Sequence, residues 1–221
     1  MGVIITYVDG QTRTIYSRLD FHSLFLEKKL TMEIKLKYDT PKEWADQVIQ
    51  NIDAFLQDHA DAERKVAHMC LSLIAKYPDK RDIIADLNQI AVEELLHFKQ
   101  VYDIMYKRGL TIDSEFKKDP YMKGISSIIR EDSQERLLDR LILASVAEMR
   151  GVERFKLISD AIEDQELKKF YGNLHLQEKE HVDIFLQLAQ RYFPTEEVES
   201  RLEEILIKEG EITEYLPWRS A

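Results

Sequence analysis

The run AVEELLHFKQ (91–100) carries Glu94 and His97 three positions apart, and LQEKEHVDIF (176–185) repeats that spacing with Glu178 and His181. Residues three apart on an α-helix share a face, with Cβ atoms about 5–6 Å apart. A carboxylate and an imidazole so placed can approach one metal ion. Ala91, Val92, Leu95, Leu96 and Phe98 mark the first run as a packing helix, so Glu94 and His97 need a reason to lie among them. Either motif alone is weak, because any helix rich in Glu and His produces it. Glu93, about 100° round the helix from Glu94, reads as a surface residue or an outer partner of the site.

Two further glutamates strengthen the pattern. Glu63 precedes Glu94 by 31 residues, and Glu148 precedes Glu178 by 30. In an antiparallel helical hairpin, residues equidistant from the turn face each other. The midpoint of the first pair falls at Pro78-Asp79, and that of the second at position 163, inside SDAIEDQE (159–166). Each hairpin therefore sets one Glu level with one Glu-x-x-His, the donor layout of carboxylate-bridged di-iron and di-manganese bundles. Four unpartnered carboxylates would be prohibitive to bury. Two divalent ions with four carboxylates and two neutral imidazoles make a formally neutral cluster. The expected metal ligands are Glu63, Glu94, His97, Glu148, Glu178 and His181. With no thiolate among them, iron or manganese suits the set and zinc stays open.

The other titratable residues read more plainly. His59, one turn before Glu63, is an outer partner of the site or a capping or surface residue. Glu153 lies off the face of Glu148 and is expected in a salt bridge with Arg150 or Arg154. His22, His68 and His175 read as structural, and Cys70 as core.

The elements that must position these groups are long amphipathic helices at roughly 42–76, 81–108, 133–161, 165–192 and 196–209. Thr40 is expected as an N-cap with Pro41 at the first helical position. Pro78 ends the first helix and Asp79 caps the next. Gly109 fits the left-handed position that closes the second. Residues 110–132 lack a long periodic pattern and read as a connection, and a short alternation near VIITYV is the strand signal. Two hairpins joined by one long crossover make an all-α, ferritin-like four-helix bundle with a short C-terminal helix.

Composition narrows the classes. The chain of 221 residues suits one domain, expected over 32–221, behind an N-terminal extension over 1–31. One cysteine rules out a disulfide framework and suits a reducing cytoplasm. No apolar run reaches the ~20 residues that span a bilayer, and MGVIITYVDG lacks the basic leader of an export signal. The expectation is therefore a cytoplasmic protein with no membrane partner. A net charge of −10 argues against coating nucleic acid by bulk attraction, though not against a local basic patch. The six ligands leave two reactions open: oxidation of a C–H bond, or oxidation of iron itself for storage or peroxide removal, as in rubrerythrin- and ferritin-like proteins. A metal-free helical interaction protein is a third reading.

From LQDHADAERKVAH (56–68), through AVEELLHFKQVYDIMYKRGL (91–110), LILASVAEMRGVERF (141–155) and FYGNLHLQEKEHVDIF (170–185), to the closing PWRS, the chain resembles the bacterial tRNA hydroxylases of the MiaE family. The resemblance covers roughly residues 40–219. Asp58 to Lys65, Val92 to Phe98, Glu148 to Phe155 and Gln177 to His181 match the family's segments. Val92 and Gln177 stand where Arg and Ser are expected, and Met149 and Gly151 replace small or polar neighbours. The resemblance implies a non-haem di-iron monooxygenase using O2 and two iron ions. Its implied substrate is 2-methylthio-N6-isopentenyladenosine next to the tRNA anticodon, hydroxylated on the isopentenyl group. It implies the same six ligands, tRNA as partner, and an external electron donor, a reductase or a ferredoxin-type protein.

An RNA substrate must also be gripped. Between 107 and 130 the basic residues Lys107, Arg108, Lys117, Lys118, Lys123 and Arg130 outnumber Asp113, Glu115 and Asp119. This connection is the expected place for phosphate contacts, with an ordinary solvated loop as the alternative. The first 31 residues fall outside the resemblance, and are expected to be an accessory extension or the product of an upstream start before Met32.

Overall fold

The computed structural model describes residues 3–6, 12–15, 32–113 and 119–218. It divides into two units, 1–33 and 34–221. In the first, β1 (Val3–Thr6) and β2 (Thr12–Ile15) pair antiparallel, with Val3 opposite Ile15 and Thr6 opposite Thr12. The VIITYV alternation supplies one of these strands.

The second unit contains α1 (Lys42–Gln50), α2 (Ile52–Lys76), α3 (Arg81–Lys107), α4 (Pro120–Ser126), α5 (Ser133–Ala161), α6 (Gln165–Tyr192) and α7 (Thr195–Tyr215). The helices α2 and α3 form one antiparallel hairpin and α5 and α6 the other. The segment 108–132 crosses between them, giving the four-helix bundle expected from the sequence. No helix among the described residues is long and apolar enough to cross a membrane.

Local chemistry sets the ends. Asp119, Asp132 and Asp164 each accept hydrogen bonds from backbone N–H groups in the first turns of α4, α5 and α6. Gly109 takes φ 74°, and Leu110 N–H returns to the Met105 carbonyl at 2.9 Å, closing α3 as the sequence indicated. Elsewhere the ends differ from expectation. The helix read as 42–76 breaks at Asn51 (φ −136°, ψ 51°), a kink that the apolar spacing of Val48, Ile52 and Phe55 runs straight across and so does not reveal. Thr40 caps nothing; its hydroxyl donates to Glu153 instead, at 2.6 Å. Lys80, not Asp79, occupies the N-cap position of α3, with no side-chain cap. Inside the crossover, α4 is seven residues long, too short to show a period. The last helix runs on to Tyr215 through Gly210, where an added Cβ would stand 3.0 Å from the Lys37 Cβ. That glycine permits close packing; it does not stop the helix.

Apolar layers flank the middle of the bundle. At one end Trp44, Leu56, Val101, Met105, Ile158 and Tyr171 pack together. Toward the Pro78 turn, Leu73, Ile83, Leu87, Leu141 and Phe185 are buried. Glu63, Glu94, Glu148 and Glu178 fall between these layers on α2, α3, α5 and α6 respectively. Around this frame α7 packs on α4, α5 and α6, and α1 packs on α5 and α2.

Candidate metal centre

All six residues singled out by spacing point into the bundle and are buried. Their exposures run from 1% for Glu94, Glu178 and His181 to 9% for Glu148. Their donor atoms fall into two groups, each with every member within 4.8 Å of the others: Glu63, Glu94, His97 and Glu178, then Glu94, Glu148, Glu178 and His181. Glu94 and Glu178 belong to both. Two adjacent positions with two shared carboxylates are what a bridged pair of cations requires.

The contacts run crosswise between the hairpins. His97 Nδ1 lies 2.9 Å from Glu178 Oε1 and 3.7 Å from Glu63 Oε2. His181 Nδ1 lies 2.8 Å from both Glu94 Oε1 and Glu178 Oε2. Yet Glu94 Oε1, Glu178 Oε1 and His97 Nδ1 are buried with no hydrogen-bond partner. The separations are short but misaligned, because these atoms converge on common points between them rather than on one another. Orphaned buried acceptors are costly, and a cation at the point of convergence removes that cost. The donor set therefore fits a pair of metal ions.

Electrostatics carries the same message. Burial, then contact with Glu63, pushes the Glu94 carboxyl up. Burial, then the charges of Glu94 and Glu178, holds Glu148 well above the usual carboxylate range. For His97, burial pulls the imidazole down but is outweighed by close polar contact with Glu178, Glu63 and Glu94, which lifts it to about 12. His181 is raised in the same way, burial being overcome by Glu178, Glu93 and Glu94. So much negative charge in one dry layer demands positive charge, as protons or as metal.

Two outer partners complete the geometry. Glu93 Oε2 accepts from His181 Nε2 at 2.9 Å, so the two readings left open for it resolve to partner of the site. The Nε2–H so committed aims Nδ1 at the shared carboxylates, the arrangement by which a carboxylate orients a metal-binding histidine. His59 meets Glu63 Oε1 through Nε2 at 2.5 Å and Tyr171 Oη through Nδ1 at 3.2 Å. Phe55, Phe155 and Phe170 surround the His59 ring, and burial lowers its pKa to about 3. A neutral His59 donates its one N–H to Glu63 and accepts from the Tyr171 hydroxyl. Sequence reasoning missed Tyr171, although it lies seven residues before Glu178 and so shares its helical face. Cys70 is buried in the core as expected, His175 contacts the Tyr171 carbonyl, and His68 is exposed. His22 lies outside the described residues.

The crossover cations fare differently. Lys107 pairs with Glu166 at 2.5 Å, Arg108 with Asp53 at 2.6 Å, and Arg130 with Asp139 at 2.7 Å and Glu135 at 2.9 Å. Lys123 is exposed, and Lys117 and Lys118 lie outside the described residues. Half of the expected phosphate contacts are thus engaged within the protein.

Residues 28–217 match the family model described as tRNA-(MS[2]IO[6]A)-hydroxylase (MiaE). The chain belongs to the MiaE family. Among similar proteins is the tRNA 2-(methylsulfanyl)-N(6)-isopentenyladenosine(37) hydroxylase of Pseudomonas putida. It is 33% identical over 153 residues, covering 69% of this chain and 74% of that protein. The protein of the same name from Salmonella typhimurium is 26% identical over 212 residues, covering 74% of this chain and 77% of its own. A solved structure, Protein 43 with aldehyde deformylating oxygenase activity from Synechococcus, superposes with a TM-score of 0.80 at 28% identity. That match covers 84% of this chain and 92% of that one.

The segment EMRGVERF (148–155), one of those that carry the MiaE resemblance, does more than supply Glu148. Arg150, 1% exposed, binds Glu209 of α7 through two bonds of 2.9 Å. It also donates to Glu153 at 2.6 Å, the pairing expected from the sequence. Glu153 in turn accepts from the Thr40 backbone at 2.8 Å. Tyr121 of α4 and Thr213 donate to Glu209 at 3.1 and 2.9 Å. Arg154 lies over the rings of Trp44 and Tyr121. Starting two residues beyond Glu148, this network clasps α1, α4 and α7 to the helix that presents it.

Proposed function

We propose that this chain is an O2-dependent, non-haem di-iron monooxygenase that hydroxylates the isopentenyl group of 2-methylthio-N6-isopentenyladenosine beside the tRNA anticodon. Family membership and the names of its relatives support the substrate. The observation that carries the chemistry is that Glu94 and Glu178 belong to both donor groups. Glu63 and His97 would hold one iron, Glu148 and His181 the other, and Glu94 and Glu178 would bridge them. The bound iron pair supplies O2 activation and the oxidising power for a C–H bond.

The protein's own contribution is position and dryness. Glu93 orients the His181 ring, and His59 holds Glu63 Oε1 so that Oε2 faces the centre. The apolar layers above and below keep bulk water from the carboxylates. Electrons are assigned to an external reductase or ferredoxin-type protein, because the lone cysteine here cannot furnish a Cys-ligated cluster. We assign the activity to residues 32–221 acting in the cytoplasm, with 1–31 as an accessory extension.

Nucleoside analysis of tRNA from cells with and without the gene tests the reading. Loss of the hydroxylated prenyladenosine, with accumulation of the unhydroxylated form, is the expected result. Unchanged nucleosides, together with ferrous oxidation by the purified protein in the absence of RNA, would assign the chain to iron oxidation instead.

A further inference from the structure

While Lys107, Arg108 and Arg130 of the crossover are held in ion pairs, the structure offers a further basic surface at the Pro78 end of the bundle. Tyr77, just past α2, donates its hydroxyl to the Ser133 carbonyl at 3.0 Å, tying the end of α2 to the start of α5. Lys76 is exposed there, and Arg136 and Arg140 are half-buried on successive turns of α5. None of the three forms an ion pair with a carboxylate among the described residues; Arg136 reaches only the Arg130 carbonyl, at 3.4 Å. The nearby carboxylates are engaged elsewhere, Asp132 in capping α5 and Asp139 with Arg130 and Arg201. The Lys76 ammonium is held below its usual pKa, by desolvation first and by Arg136 and Arg140 next. Three cations grouped with no ion-pair partner among the described residues, in a chain of net charge −10, offer a place for an external anion.

We propose that Lys76, Arg136 and Arg140 bind phosphates of the RNA loop that flank the target nucleotide. This rests on the tRNA reading and adds the surface by which RNA is held. A polyanion approaching so acidic a protein is repelled everywhere except at a local positive patch, and single-stranded loop phosphates are flexible enough to follow one. The patch also stands at a workable distance. Arg140 precedes Glu148 by eight residues and Lys76 follows Glu63 by thirteen, which is about 12 and 20 Å along the helix axis from the carboxylate layer. Glu148, on the same helix as Arg136 and Arg140, is the most accessible of the six ligands at 9%. Phosphates gripped at this end leave a base splayed out of the loop to reach along α5 toward Glu148.

The test is binding of a labelled anticodon stem-loop RNA carrying prenylated adenosine, measured by fluorescence anisotropy across a salt series. Each of Lys76→Gln, Arg136→Gln and Arg140→Gln is expected to lower the slope of log affinity against log salt by about 1. The triple variant is expected to lower it by about 3 and to weaken binding on the order of 10-fold or more at low salt. Lys208→Gln, on the far stretch of α7, is expected to bind as wild type. Wild-type affinity and slope in all three single variants would overturn the surface. If wild type converts the nucleoside in cells while these variants bind normally, only the surface fails. If wild type neither binds nor converts the RNA, the reading of the function fails with it.

Discussion

His59 is the most informative residue to perturb, because it touches the candidate centre without belonging to it. Its imidazole bridges Tyr171 Oη, at 3.2 Å, and Glu63 Oε1, at 2.5 Å. In His59→Leu the apolar side chain remains compatible with the rings of Phe55, Phe155 and Phe170, but Glu63 loses its orienting donor. Loss of an outer hydrogen bond to a metal ligand costs about 10–100-fold in affinity, or roughly 1.4–2.7 kcal/mol. The loss is expected at one metal position only, the one built from Glu63 and His97, since the hydrogen bonds of His59 among the described residues go to Glu63 and Tyr171 and not to His181 or Glu148. Tyr171→Phe removes the farther link and is expected to weaken the same position less. His59→Gln restores an N–H donor and is expected to recover part of the loss. Titration of metal-free protein with Co2+, followed by visible absorption, separates the two binding steps, and thermal melts of the same samples report the fold. Equal weakening of both steps, or a lowered melting temperature with unchanged affinities, would show that His59 serves packing alone.

Metal content should divide the ligands into two classes: Glu63→Ala or Glu148→Ala retains about one ion per chain, while Glu94→Ala or Glu178→Ala retains about none, by elemental analysis. A distribution that ignores the shared carboxylates would count against bridging. Asp139, fully buried, supplies a pH test. Burial alone would raise its carboxyl, but hydrogen bonds from Arg201 and Arg130 outweigh it and hold the pKa below the usual range. A depressed pKa stabilises the fold above the unfolded value of about 3.9 and loses that contribution as pH falls through the folded one. Asp139→Asn is therefore expected to cost about 1.5–3 kcal/mol at neutral pH, since Arg201 loses its buried carboxylate but keeps Glu204 and the Ile128 carbonyl. The gap from wild type should narrow in denaturant melts on acidification below about pH 4. A gap independent of pH would mean that the charge contributes nothing.

The centre was legible in the sequence because it depends on two short-range regularities, the three-residue spacing on a helix and the symmetry of a hairpin about its turn. Glu63 and Glu148 announce themselves only through that symmetry. His59 and Glu93 were left with two readings each, because periodicity gives direction around a helix but not which side chain bends toward a neighbour. The pairing of Arg150 with Glu209 had no sequence signal at all: it joins helices 59 residues apart whose relative rotation is set by packing. The kink at Asn51 was hidden by an apolar pattern that runs through it. The crossover cations were counted correctly but not their partners, since Asp53 and Glu166 lie in distant parts of the chain.

The clasp between Arg150 and Glu209 imposes an order on the protein's birth. Until the ribosome has released residue 209, the guanidinium two positions beyond Glu148 has no bidentate carboxylate, although α5 already has α6 to pack against. A nascent chain thus holds all six donors before the clasp that braces the helix behind Glu148 can close.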